Sequence, residues 1–133
     1  HLPGHSPYQV AVFVPEERVV FTSDNIVRAQ PYLHQAMPLE WIESLKRYQE
    51  FDADFFVPGH GEVCDKSFIP EMSKTVQSYI NATKAALIQG LTVDQAADDT
   101  AFLEKYGIKV GPDPMAKRVI KMSLTHLFEV LGR

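Results

Sequence analysis

Hydrophobic and polar positions change their rhythm about halfway along the chain. Tyr8–Val14 (Y-Q-V-A-V-F-V) is rich in β-branched and aromatic residues and stops at Pro15, and Val19-Val20-Phe21-Thr22 is a second short run. Two such runs joined by the polar turn Pro15-Glu16-Glu17-Arg18 predict a β-hairpin. Asp54–Val57 predicts a third strand, ended by Pro58-Gly59. Between the second and third strands, Trp41, Ile42, Leu45 and Tyr48 recur at helical spacing behind Pro38, a residue suited to a first helical turn. After residue 65 the pattern is helical. Met72, Val76, Tyr79, Ile80, Thr83 and Leu87 make one face, which Gly90 closes. Thr92 and Gln95 form a capping-box pattern that opens a helix running to about Tyr106, with Gly107 after it. Asp113-Pro114 opens the last helix, which carries Ile120, Leu124, Leu127, Phe128 and Leu131.

The predicted order is β-β-α-β-α-α-α, an α/β chain with a small sheet and four helices. Residues 1–65 hold the strands and their loops. Residues 66–133 form a helical region packed on the same domain. Helices can cover one side of such a sheet. Val10, Val12 and Val14 alternate with Ala11 and Phe13, so both faces of the first strand are apolar, the pattern of a strand buried on both sides. The second face therefore needs a partner, and the expectation is a homodimer joined sheet to sheet.

Composition narrows the function classes. A chain of 133 residues with 45% hydrophobic and 23% charged residues is long enough for one domain with a core. Net charge is −4, from 13 basic and 17 acidic residues, and no run of Lys or Arg forms a phosphate-tracking patch. Nucleic acid is not an expected partner. The C-terminal helices likewise show no basic cluster that would grip an anionic thioester or an RNA backbone. No apolar run approaches the roughly 18 residues of a membrane span. A single cysteine, Cys64, excludes an internal disulfide and an all-cysteine zinc site, which makes a reducing cytoplasm the expected compartment. The chain opens at His1 without Met and without a recognisable targeting segment.

The chemistry lies in the segments that border the strands. His1-Leu2-Pro3-Gly4-His5-Ser6-Pro7 precedes the first, Thr22-Ser23-Asp24 follows the second, and Val57-Pro58-Gly59-His60-Gly61 follows the third. His5 and His60 offer imidazole nitrogen and Asp24 a carboxylate, a donor set that suits zinc and that iron and manganese tolerate. Glycine beside a ligand lets the backbone turn sharply and approach an ion closely. Each signal alone is weak, since a lone His is usually surface or hydrogen-bonded and a lone Asp usually a turn former. The information is in the ordered set.

That set, P-G-H-S, hairpin, S-D, helix, strand, P-G-H-G, resembles the metallo-β-lactamase superfamily. The resemblance covers about the first 65 residues and the later helices match more loosely. It implies a C-terminal βα half of a four-layer αββα sandwich, with the site at one edge between the two halves. It implies His5 as the lone middle histidine, Asp24 as the metal-bridging, catalytic carboxylate and His60 as the last ligand. The activity it implies is hydrolysis of a small-molecule ester, thioester, lactone, amide or phosphoester at two zinc ions.

Two departures stand out. Ser23 occupies the position where the family pattern has glycine. The H-x-H-x-D-H motif is absent, because the only histidines are His1, His5, His34, His60 and His126. The first half of the fold is thus not in this chain, which should hold at most one ion weakly and should be inactive alone. Arg28, Tyr32 and His34 in the stretch Asn25–Met37 would border the site and could contact an anionic substrate, although a solvated loop is the preferred account of them. His1 reads as a terminal residue, His126 and Trp41 as structural, Cys64 as a packed thiol, and Glu16, Glu17 and Arg18 as a solvated turn. Two further readings compete: a non-catalytic α/β module that dimerises through its exposed sheet, and a di-iron redox relative, which would carry additional acidic ligands and a flavin domain.

Overall fold

The strands fall within the first 60 positions, with one helix between the second and the third, and helices alone follow. The computed structural model describes residues 1–133. In order it contains β1 (Val12–Val14), a short 3₁₀ turn (Pro15–Glu17), β2 (Val19–Val27), α1 (Pro38–Tyr48), β3 (Phe55–His60), α2 (Phe68–Ile88), α3 (Val93–Asp98), α4 (Thr100–Lys105) and α5 (Pro114–Leu131). The sheet order is β1-β2-β3, with β1 antiparallel and β3 parallel to β2. The parallel pair is connected through α1, a crossover helix of the kind parallel strands require.

One face of the sheet is buried and the other is bare. Val20, Thr22 and Phe56 are fully buried, and Phe13 stacks against Phe51 at 5.1 Å. On the opposite face Val12, Phe21 and Phe55 are each about half exposed, at 56%, 48% and 53%. The core sits between the first face and the helices, around Trp41, Leu45, Tyr48, Ile69, Tyr79, Leu103, Ile120 and Leu124. Helices α3 and α5 pack on each other and α5 packs on α2, leaving the second sheet face uncovered.

Several expectations need correction. The first strand is shorter than Tyr8–Val14: Tyr8 is 87% exposed, and residues 8–11 have no partner strand. The second strand is longer, so Asp24 lies inside β2 rather than in a loop after it. His60 likewise ends β3 instead of following it. The helix expected from Thr92 to Tyr106 is two helices. The Thr92–Gln95 capping box forms, but Asp99 leaves the helical region with ψ 93° and caps a new helix by accepting from the Phe102 amide. An Asp side chain that competes for local amides breaks a helix in this way. The small sheet therefore carries five α-helices, not four. Arg18 is more than a solvated turn residue, since its guanidinium donates to Asp54 at 2.8 and 2.9 Å and pairs with Asp52 at 2.7 Å. This clasp ties the hairpin turn to the start of β3 and holds the Asp54 carboxyl below its usual range. No helix is long and apolar enough to cross a membrane.

The core assignment has a direct test within one helix. Leu45 of α1 is 1% exposed and Leu39 is 53% exposed. Chemical denaturation should show Leu45→Ala losing about 2–5 kcal/mol and Leu39→Ala less than about 0.5 kcal/mol.

Candidate metal centre

The loop before β1 is held against β2 by a buried amide. Asn25 is fully buried. Its side-chain oxygen accepts from the His5 amide at 2.8 Å, and its side-chain nitrogen donates to the Leu2 carbonyl at 2.7 Å. The Trp41 indole donates to the Asn25 carbonyl at 3.0 Å, and the Met37 amide donates to the Gly4 carbonyl at 2.7 Å. Gly4 is required here, because a Cβ would lie 2.4 Å from the Asn25 side-chain oxygen and 2.7 Å from the Trp41 ring. Trp41 then meets the His5 ring edge to face at 5.8 Å. Burial raises the Tyr48 hydroxyl to about 12, so it stays protonated beside this amide.

Asp24 is aimed by an irregularity in the sheet. Phe21 pairs with Val57 but Ser23 pairs with Pro58, so β2 carries one residue more than β3 across this step. Such a bulge bends a strand and redirects its side chains. Ser23 adopts φ 49°, the left-handed conformation that the family's glycine would adopt without strain. Gly59 completes the fit: a Cβ there would fall 1.8 Å from Asp24 Oδ1 and 2.9 Å from the Asp24 amide nitrogen. His60 follows at the end of β3, where its carbonyl accepts from the Arg28 amide at 2.9 Å.

The three side chains converge. His5 Nε2 lies 3.7 Å from Asp24 Oδ2, and His60 Nε2 lies 3.6 Å from Asp24 Oδ1. One imidazole thus faces each carboxylate oxygen. These separations exceed hydrogen-bond length. They approach the spacing of two donors on one tetrahedral ion, which is about 3.4 Å when each bond is about 2.1 Å. No group of three or more His, Cys, Asp or Glu side chains gathers around a single point. The arrangement is two donor pairs that share a carboxylate. With Gln30, Pro31 and Tyr32 the three line a cavity of about 190 Å³.

Electrostatics favour the neutral imidazole at His5. Burial lowers its pKa, and the nearby Asp24 carboxylate opposes that shift without cancelling it. Neutral imidazole is the form that ligates metals. His34 also borders the site, its ring 6.4 Å from that of His5 and 6.0 Å from that of Tyr32. The other sequence candidates lie elsewhere. His1 Nε2 contacts the Pro7 carbonyl at 2.7 Å and His126 Nε2 the Ala36 carbonyl at 2.8 Å. Cys64 is buried, and burial raises its thiol pKa, as suits a packed side chain. Sequence reasoning passed over Asn25 as the first residue of a loop. Its signal was a lone amide at a core-facing position, and that signal was legible only once β2 was known to extend past Asp24.

The fold of these elements is shared with known proteins. A metallo-beta-lactamase family protein from Thermus thermophilus superposes over 98% of this chain with a TM-score of 0.68 at 18% identity, and this chain covers 42% of its length. The chain has the metallo-β-lactamase fold. A metallo-beta-lactamase from Pontibacter korlensis matches 56% of it with a TM-score of 0.52 at 23% identity, over 38% of that protein's length. Among curated proteins, a linear primary-alkylsulfatase from Pseudomonas sp. (strain ATCC 19151) is 26% identical over 110 residues, which is 74% of this chain and 21% of the relative. No family model matches the sequence. This metallo-β-lactamase-fold chain thus spans about a fifth of that curated relative and about two fifths of the matched structures.

Two outcomes follow from this geometry. Gly59→Ala should drive Asp24 out of place and cost about 1–3 kcal/mol by overpacking, read by denaturation together with amide shifts confined to Asp24 and its neighbours. His5, with a folded pKa below its unfolded value of 6.5, takes up a proton more readily when unfolded. Its contribution is present above that value and is lost as pH falls through the lower folded pKa. Between pH 7 and 5, the wild type should therefore lose more stability than His5→Gln, and identical pH profiles would refute this.

Proposed function

We propose that His5, Asp24 and His60 are metal ligands of a zinc-type hydrolytic centre and that Asp24 is its bridging carboxylate. The observation that supports this most is the placement of one imidazole at each oxygen of Asp24, at 3.7 and 3.6 Å. The donor set suits zinc, and iron or manganese would accept it. The Gly59 cradle, which any Cβ would fill, favours a crowded site over an incidental contact. Bound metals would supply a water of lowered pKa and polarise the substrate's electrophilic atom. The chain's own contribution is to hold Asp24 through the bulge, to keep His5 neutral through burial and to wall the site with Tyr32 and Gln30.

The intact protein then cleaves a small-molecule ester, thioester, lactone, amide or phosphoester, and the alkylsulfatase relative adds a sulfate ester to these classes. Fold alone does not choose among them. This chain supplies only one imidazole at each end of the shared carboxylate. On its own it should hold at most one ion weakly and should not turn over substrate. Calorimetric titration with zinc should give weak binding, and His5→Ala, Asp24→Ala and His60→Ala combined should abolish it. Tight binding of two ions would contradict the expectation that this chain lacks the remaining donors, and equal binding by the triple variant would contradict the assignment of these three.

A second reading is favoured by the bare sheet face. Val12, Phe21 and Phe55 expose apolar surface that a partner would cover, at about 25 cal/mol per Å². The partner proposed is a second copy of the chain, apposed about a two-fold axis so that the same strands meet on both sides. In this reading the chain is an α/β interaction module. Sedimentation velocity should show a dimer that Phe21→Glu converts to a monomer. A wild-type monomer at every concentration would sink it.

A further inference from the structure

The candidate metal cavity shares the wall Ala29–Pro31 with a larger cleft of about 570 Å³. Three separate segments build this cleft: the Arg28–Pro31 turn after β2, one stripe of α2, and residues 107–109 after α4. Along α2, Glu71, Lys74, Thr75 and Ser78 fall at helical spacing and face the same opening. Gly107 takes φ +82° and turns the chain so closely onto α2 that a Cβ would stand 3.1 Å from Ser78 Oγ. That turn brings Lys109 into the lining of the same cleft as Lys74. Beneath them Gln30 donates to the buried Tyr79 hydroxyl and fixes the shared wall.

The charge of this cleft opposes that of the molecule. Arg28, Lys74 and Lys109 line it against one carboxylate, Glu71, in a chain whose net charge is −4. The Lys and Arg ion pairs of the structure use Arg18, Lys46 and Lys121 instead. None of the three cleft cations makes a close ion pair, although Asp65 is near enough to Arg28 to feel its charge and Glu71 lines the same cleft. Arg28 has its guanidinium 5.1 Å from the Phe68 ring centre, which restricts its motion. Cations from distant segments that converge on a concave surface with hydroxyls between them suit an oxyanion, because charge-assisted hydrogen bonds to such an anion are the strong ones. No basic cluster was visible in the C-terminal helices because the three residues come from three segments, one of them before β3.

We propose that this cleft is an oxyanion-binding site for a phosphate or sulfate group, held chiefly by Lys74 and Lys109, with Arg28 on its wall. Sharing a wall with the candidate metal cavity, it would seat the charged tail of a substrate whose scissile bond lies over Asp24. This use as a substrate subsite rests on the hydrolase reading, whereas oxyanion binding itself does not.

The test is a titration of isotopically labelled, metal-free chain with inorganic phosphate, and separately with sulfate, against sodium chloride at matched ionic strength. Saturable amide shifts are expected at Lys74, Thr75, Ser78, Ile108 and Lys109, absent with chloride. Lys74→Gln combined with Lys109→Gln should weaken binding about tenfold or more. Lys46→Gln combined with Lys84→Gln, which removes the same charge elsewhere, should leave it unchanged. The proposal is overturned by non-saturable shifts, by equal weakening in both double variants, or by shifts centred on His5 and His60. Because no metal is present, failure here leaves the zinc titration to judge the hydrolase reading separately.

Discussion

The contact between Asp24 and Gly59 is the constraint on which the rest of the site depends. Two parallel strands run side by side, and β2 carries an extra residue just where β3 turns through Pro58-Gly59. The bulge swings the Asp24 carboxylate across to β3, into space that exists only because Gly59 has no side chain. Everything else is arranged around that carboxylate. His60 follows Gly59 directly, so the same close approach sets its position. Asn25 follows Asp24 directly and turns inward, where it anchors the loop that carries His5. Three residues separated by some 55 positions of sequence are thus located by one irregular strand pair and one buried amide.

Buried polar groups make this arrangement specific. An unpartnered amide in the core would be costly, so Asn25 acts as a register lock: it is satisfied by the His5 amide, the Leu2 carbonyl and the Tyr48 hydroxyl only when the loop is in place. No buried side-chain nitrogen or oxygen is left without a partner. The bulge is not free of strain, since Ser23 sits at φ 49° where glycine would be at ease. Strain held by a fully satisfied surrounding network is a common feature of functional sites, and here it lies one residue from the proposed bridging carboxylate.

Much of this was legible in the residues, for identifiable reasons. Helix limits marked by strong local chemistry, such as Pro38, the Thr92–Gln95 box and Asp113-Pro114, could be read directly because caps act within a few residues. The ligand candidates were legible through glycines at His5 and His60 and through their order along the chain. Strand limits were less so. Tyr8–Ala11 has strand composition but finds no partner, whereas Ser23-Asp24-Asn25 has turn composition yet lies within β2 because β3 pairs alongside it. Strand propensity yields to tertiary pairing. The basic cleft was illegible for a related reason, since Arg28, Lys74 and Lys109 become neighbours only through the packing of the Arg28–Pro31 turn, α2 and the Gly107 turn.

The central claim is that the two sides of the Asp24 carboxylate are metal positions. Anomalous diffraction at the zinc absorption edge, from crystals of this chain equilibrated with zinc, tests it most directly. The account predicts an anomalous peak about 2.0–2.2 Å from an Asp24 oxygen, shared with His5 on the Oδ2 side or with His60 on the Oδ1 side. A peak placed instead at His1, His126 or Cys64, or no peak near Asp24 at saturating zinc, would contradict it.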